Sequence, residues 1–451
     1  MARAQVTDLV VVLPGILGSR LADADGRAVW DLSGPALLRG LRSFGRSVGA
    51  LRLPKDIGDG DPGDGVVPVG LMPDLHALPG IWHPVDGYTD LLRWLERHFT
   101  LSVSDNLLTF PYDWRLSCRH SAGRLKGRID LELERWRASA PERREARVVF
   151  LCHGMGGLVA RHYVERLGGH AITRRVITLG TPHRGSVRAL ADLVEGGHSA
   201  GPGLGPFARS LPSLHQLAPD YACVEGPDGL AHLRDLPGLP GVDEALLADA
   251  ARFHADLRSA PPQAGLYAIA GTGQPTATTA RYAGGRLTLL PGADGDGTVP
   301  RLGAASGPGA PYELCTPYEQ HGSLQNNRAA REALRGLLGD GSPLPETADG
   351  VDRADGAGGA DGPDPAARLG VQVVPVLPAG VPYEVVVTAP DDARLPVAEL
   401  RPADGGRPVA RALRSLGGGR HGVAFPPPEP GAYRLSVGPV TALSVIRRSA
   451  L

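Results

Sequence analysis

The sequence predicts an α/β body, a mainly parallel sheet covered by helices on both faces, followed by a small all-β module. Three observations carry this prediction. Through about Asp340, short apolar strands alternate with amphipathic helices, as in a parallel sheet whose crossovers lie on its faces. From Arg368 onward the alternation gives way to short β-rich runs separated by Pro and Gly, the spacing of a sandwich. Between them, residues 341–367 are dominated by Gly, Asp, Pro and Ala and hold almost no large apolar side chain.

Taken in order, residues 9–13 form an apolar strand that runs into Pro14-Gly-Ile-Leu-Gly-Ser19, a tight strand-to-loop turn. Tyr88, Leu91, Leu92, Leu95 and Phe99 recur at helical spacing, as do Leu125, Ile129, Leu133 and Trp136. Residues 148–152 and 176–179 are further apolar strands, and the helix between them carries Val159, Tyr163 and Leu167 on one side. From about 191 to 262 the periodicity weakens, with Gly-rich pieces around 198–205 and a short helical stretch near 246–257; this reads as a lid insertion. Residues 266–270 resume the sheet, 287–290 precede a Gly-Asp turn, and 328–338 make a last helix. The expected organisation is an α/β domain over 1–340 and a flexible linker over 341–367, too poor in apolar surface to offset its ordering entropy. A β-sandwich-like module over 368–451 completes it, with strands at 371–374, 383–388 and 397–400 and an alternation of Tyr433, Leu435 and Val437.

Composition bounds the function. The chain has 451 residues, 42% hydrophobic and 21% charged, enough for a large core. A net charge of -1 and a pI near 6.9 give no field for nucleic acid or an anionic membrane. Lys55 and Lys126 are the only lysines among 47 basic residues, which reads as codon usage and not as arginine-mediated recognition. No secretory signal is visible and no window approaches the roughly 20 apolar residues of a membrane span. Cys118, Cys152, Cys223 and Cys315 lie far apart without metal-ligand spacing, so free buried thiols and a cytoplasmic setting are expected. Asp56, Asp59, Asp61 and Asp64 are interleaved with Gly and Pro and read as a solvated turn. Neither a metal nor a cofactor is expected.

The run Val148-Val-Phe-Leu-Cys-His-Gly-Met-Gly-Gly-Leu-Val-Ala160 has the form of a nucleophile elbow. An apolar strand, a sharp turn of small residues and a helix together present a nucleophile at the top of a sheet. Gly154 stands at the tip and has no hydroxyl to present. Cys152, two residues earlier at the buried strand end, is a poor substitute, and His153 is expected to pack or hydrogen-bond the turn.

These motifs carry a resemblance. Residues 8 to about 338 resemble the lecithin:cholesterol acyltransferase family of α/β-hydrolases, in a bacterial lipase or acyltransferase form. Val10-Val-Val-Leu-Pro-Gly-Ile-Leu-Gly-Ser-Arg-Leu21 is similar to the family's oxyanion-side turn, and Phe110-Pro-Tyr-Asp-Trp-Arg115 to its most specific signature. Ile177-Thr-Leu-Gly-Thr-Pro182, Leu211-Pro-Ser-Leu214, Gly295-Asp-Gly-Thr-Val-Pro300 and Glu319-Gln-His321 follow in the family's order. The resemblance implies an α/β-hydrolase fold with a lid insertion and a Ser, Asp, His triad in that chain order. By position, Asp296 is the acid, His321 the general base and Gly154 the nucleophile position without its serine. The backbone N–H groups of Ile16 and Met155 are the implied oxyanion hole. Bland alternatives stand beside these: Asp296 as a plain Gly-Asp turn, His321 as a surface histidine.

The leading expectation is a lipase-like or O-acyltransferase-like protein of lipid metabolism that is catalytically impaired and keeps a pocket for an acyl lipid or ester. It would be a pseudoenzyme or a very slow esterase. The alternatives are an acyl hydrolase or O-acyltransferase active by a rescued route, and a non-enzymatic scaffold whose β module meets a protein partner.

Overall fold

A computed structural model describes residues 3–31, 51–73, 87–196, 204–226, 229–236, 238–260, 265–292, 294–305, 312–317 and 319–339 of the body. It also describes 370–373, 376–389, 397–402, 406–438 and 440–447 of the C-terminal region. The expected linker at 341–367 lies outside the described residues, as do the Gly-rich residues 197–203.

Runs of apolar residues build the central sheet. All five residues of Leu9–Leu13 and all six of Val148–His153 are buried, as strands covered on both faces must be. The sheet has six strands in the order Tyr312–Pro317, Leu266–Thr272, Thr173–Leu179, Val148–His153, Leu9–Leu13 and Leu107–Thr109, and every pairing is parallel. Alternate side chains of one strand feed two cores. Leu9, Val11 and Leu13 join Phe150, Leu125, Ile129 and Leu158 on one face. Val10 and Val12 join Val149, Leu151, Trp94 and Leu334 on the other. The first core is roofed by the helices Cys118–Ala138 and Gly156–Arg166, the second by Thr89–His98 and Arg328–Leu338. Local signals place the helix starts: Ser117 accepts from His120 N–H and Asn327 from Ala330 N–H as N-caps. The fold is an α/β-hydrolase sheet with helices on both faces.

The region expected as a lid holds the helices Val187–Glu195, Leu204–Arg209, Pro212–Gln216 and Glu244–Arg258. The last is longer than its apolar periodicity suggests, because Asp243 caps it by accepting from Ala245 and Leu246 N–H. One element departs from expectation. Residues 287–290 do precede the Gly-Asp turn, but within the strand Arg286–Gly292, which pairs antiparallel with an unforeseen strand, Thr276–Ala283, in a four-stranded sheet with Val224–Gly226 and Gly229–Ala231. The alternating Thr, Ala and Tyr of its partner carry too little apolar bulk to show a strand from sequence.

In the C-terminal region two further sheets face each other. One runs Gly370–Val373, Tyr383–Thr388, Arg420–Phe425, Arg414–Gly417; the other runs Val376–Pro378, Val440–Arg447, Gly431–Val437, Ala398–Pro402, Val409–Arg411. Val385, Val387 and Phe425 of the first pack on Leu400, Leu435 and Val437 of the second, and the Tyr383 hydroxyl lies 2.7 Å from Ser444 Oγ across the interface. Among the described residues, no helix is long and apolar enough to cross a membrane.

Candidate active site

The site gathers at the carboxyl ends of the parallel strands, where open α/β sheets place their ligands. The chain leaves Val148–His153 and turns at Gly154 before entering the helix Gly156–Arg166. Gly154 has φ +50°, a conformation that glycine adopts freely and other residues adopt under strain. Its N–H donates to Leu179 C=O at 2.9 Å, and its own C=O accepts from Thr181 Oγ1 at 2.8 Å. The turn is therefore held by the next strand and its loop, without help from any side chain at 154.

Opposite this tip stand Asp296 and His321. Gln274, just past the end of Leu266–Thr272, forms a bridge with Asp296 and brings the aspartate back to the sheet after the antiparallel excursion. Asp296 is 1% exposed. One carboxylate oxygen accepts from Thr298 N–H at 3.0 Å and Val299 N–H at 2.6 Å; the other accepts from His321 Nδ1 at 2.8 Å. His321 N–H also donates to Asp296 C=O at 2.8 Å. With Nδ1 carrying the proton, Nε2 keeps its lone pair, and this nitrogen faces the elbow. A Cβ on residue 154 would lie 3.2 Å from it, so a hydroxyl on that carbon falls within hydrogen-bond reach. Gly180 makes room for the pair: a Cβ there would fall 2.8 Å from His321 Nδ1 and 2.9 Å from Asp296 Oδ2.

His153 ties the two sides together, in keeping with the packing role its place in the turn suggests. Gly15 N–H donates to the Tyr88 hydroxyl at 2.9 Å. Tyr88 lies 3.0 Å from His153 Nδ1, and His153 Nε2 lies 2.9 Å from His321 C=O. Because His321 C=O can only accept, Nε2 holds the ring proton and Nδ1 accepts from Tyr88. Burial raises the Tyr88 phenol well above its ordinary range, so it stays a donor. The two imidazoles pack with centroids 4.8 Å apart. Among the described residues, the N–H groups of Ile16 and Met155 donate to no protein oxygen, and both residues line a cavity of about 80 Å³ over Gly154 and His321. Its walls are mostly apolar, with Leu17, Pro182, Leu214 and Val299 among them, and the Arg188–Asp192 pair (Nε to Oδ1, 3.6 Å) at one side.

The structure thus brings Gly154, Asp296, His321, Ile16 and Met155 together. It keeps Cys152 out: the residue is fully buried, and desolvation holds its thiol well above the ordinary range. The acidic run is more than a solvated turn. Asp64 and Asp113 bond Arg115, which is 0% exposed, and Asp59 accepts from Ser117 and Arg119. The signature around Phe110 to Arg115 thereby straps residues 51–64 onto the body, where Arg115 also donates to Leu51 C=O. Among the described residues no cluster of three or more His, Cys, Asp or Glu could hold a metal. A larger cleft of about 560 Å³ between residues 52–58 and the start of Glu244–Arg258 shares no residue with the site. Sequence reasoning missed Tyr88, read only as a core position, and passed over Gly180 and Thr181, although both sit inside a motif it quoted.

Residues 84–210 match the family model for lecithin:cholesterol acyltransferase. No curated protein matches the chain. Among solved structures, the chain is similar to the Tle4–Tli4 complex, at 17% identity over 75% of this chain and 98% of that one, with a TM-score of 0.47. It is also similar to the mature form of Bacillus licheniformis lipase BlEst2, at 13% identity over 74% and 92% of the two chains, with a TM-score of 0.36. The central parallel sheet, its covering helices and the strand–turn–helix elbow make the chain an α/β-hydrolase in fold, and over residues 84–210 it is similar to lecithin:cholesterol acyltransferase.

Proposed function

We propose that this lipase-like protein binds an acyl ester in the cavity above Gly154 and has lost covalent acyl transfer. The observation that carries the reading is a base with nothing to activate: His321 Nε2 points at a residue with no side chain. Asp296 fixes the imidazole tautomer and the Ile16 and Met155 N–H groups are free to receive an oxyanion. The covalent route needs a nucleophile and is closed. What remains is direct attack by water. His321 Nε2 takes a proton as the water oxygen adds to the ester carbonyl, the oxyanion accepts from the two main-chain donors, and collapse returns the proton to the departing alkoxide. Loss of the nucleophile in serine hydrolases costs about 10⁶ in turnover, leaving about 10³ to 10⁴ over water. The protein is then a binder of acyl esters and, at most, a slow esterase.

The setting we assign is cytoplasmic, supported by Cys118, Cys152 and Cys223, which are buried and unbridged. The test is hydrolysis of a short aryl ester by the native chain and by Gly154→Ser, each with His321→Ala beside it. The reading expects a native chain at the level of its His321→Ala variant or slightly above, and strong His321-dependent turnover from Gly154→Ser. Native turnover that matches Gly154→Ser and vanishes with His321→Ala would overturn it.

A further inference from the structure

The described part of the C-terminal β region touches the body where the acid and base loops meet. Gly370–Val373 is an edge strand, paired on one side with Tyr383–Thr388 so that Val371 sits opposite Val387. On its open side, Val371 uses both main-chain groups. Its N–H donates to Gln274 Oε1 at 3.2 Å, and its C=O accepts from Gln320 Nε2 at 3.2 Å. Two side-chain amides thus take the place of a neighbouring strand at an edge that would otherwise present unpaired groups.

Gln274 is 1% exposed, forms the bridge with Asp296, and donates its own N–H to Gly295 C=O at 3.0 Å. Gln320 immediately precedes His321, and its N–H donates at 3.0 Å to Glu319, itself 3% exposed. Val371 is 3% exposed and belongs to the β region's own core. One residue of the β region is therefore hydrogen-bonded to the segment that bridges to Asp296 and to the segment that carries His321. These segments arrive from different strands of the sheet, and among the described residues Val371 is bonded to both.

We infer that the β region is a positioning element of the site, with the main chain of Val371 holding the Gln274 and Gln320 segments at the separation that the Asp296–His321 hydrogen bond requires. The inference rests on reading Asp296 and His321 as acid and base. Gln274 and Gln320 are positioning residues, since neither lies beside His321 Nε2. A shift of about 1 Å in such a support can cost about a hundredfold in rate.

The test uses the full chain and does not depend on turnover. Gln320→Met keeps the side chain's length and removes its donor. In the native Gly154 background, the Nδ1 proton shared by His321 and Asp296 is followed by NMR, identified by its loss in His321→Ala. Gln320→Met is expected to broaden or shift this resonance and change the titration of His321, while the thermal midpoint stays within a few degrees. In the Gly154→Ser background, the same change is expected to lower kcat about tenfold or more at unchanged KM. If Gln320→Met does not fold, Gln274→Met supplies the same readouts from the other side. An unaltered resonance and titration with either folded variant would overturn the inference and leave the contact as docking alone. A silent Gly154→Ser enzyme with an altered resonance would instead count against the proposed function while supporting the positioning role.

Discussion

The tip of the elbow and the Asp296–His321 pair facing it differ in how much structure each holds up. At the tip, the turn is closed by Leu179 C=O and Thr181 Oγ1, both acting on main-chain atoms of Gly154. A serine side chain there would add no bond on which the turn depends and would carry backbone strain of about 1–3 kcal/mol at φ +50°. Asp296, in contrast, accepts from two main-chain N–H groups of its own turn as well as from His321. The fold loses little by having no side chain at position 154 and would lose much without the Asp296 carboxylate. An intact Asp–His pair is thus what the fold would keep even with no reaction to perform, so its presence alone is no argument for catalysis.

The largest effect that sharpens this comparison is on activity. Gly154→Ser is expected to raise ester turnover by about 10³-fold or more, given the cost of removing such a nucleophile. The added Cβ stands 3.2 Å from His321 Nε2, so the imidazole must yield by a few tenths of an ångström. A matched pair of urea melts should show Gly154→Ser less stable by about 1–2 kcal/mol. A serine variant more stable than the native chain would break the strain side of the comparison.

On stability, the order reverses. Asp296→Ala leaves Val299 N–H, in a residue 2% exposed, and its neighbour Thr298 N–H without an acceptor, and it strips His321 of its partner. Unpaired buried groups cost about 1–3 kcal/mol each, so a loss of about 3 kcal/mol is expected in denaturant unfolding. If Asp296→Ala costs no more than Gly154→Ser, the pair is not structural, and its presence calls for a function after all.

Acid should expose a second contrast, between the fully bonded His153 and two other buried histidines, His162 on the elbow helix and His183 beyond the strand that follows it. Among the described residues, neither ring nitrogen of His162 has a hydrogen-bond partner, and burial, with Arg119 nearby, lowers its pKa to about 4. Burial, aided by Arg161, likewise holds His183 well below the ordinary histidine range. Such groups stay neutral when folded and take up protons when unfolded. Their stability contribution is whole above about pH 6.5 and falls as pH drops toward 4, by about 1.4 kcal/mol per pH unit for each such group. Glu165, whose carboxyl is raised by burial, works in the opposite direction, so the comparison is best made as a difference. His162→Phe is expected to remove about 2–3 kcal/mol of the loss between pH 7 and pH 4.5. An unchanged pH dependence in this variant would mean that His162 is hydrated or paired in solution.

What was legible in the sequence follows the range of the forces involved. The strands expected at 9–13 and 148–152 announce themselves because a doubly covered strand must be apolar throughout, and the last helix falls at Arg328–Leu338 as the sequence placed it. The hairpin of Thr276–Ala283 with Arg286–Gly292 was not, since its burial depends on packing partners far along the chain. Asp296 and His321 could be named only through the family's motif order; nothing local marks an aspartate between two glycines as an acid. Tyr88 was hidden for a different reason. Its ring satisfies the helix's apolar pattern, while its hydroxyl serves Gly15 and His153, 73 and 65 residues away. Periodicity reports the ring and is blind to the oxygen.

The smallest effect tests whether the tip is truly held from outside. Thr181→Val removes the hydroxyl that donates to Gly154 C=O and keeps the side chain's shape. A neutral hydrogen bond of this kind contributes about 1 kcal/mol, and the carbonyl left behind can still accept from Gly157 N–H at 3.1 Å. The native chain should therefore lose about 1 kcal/mol or less. In the Gly154→Ser background the same change should lower kcat with little change in KM, because the turn that aims the new hydroxyl at His321 would lose one of its two outside supports. Equal activity of Gly154→Ser with and without Thr181→Val would show that the bond from Leu179 suffices. The elbow's geometry would then belong to the sheet alone and not to the loop that follows it.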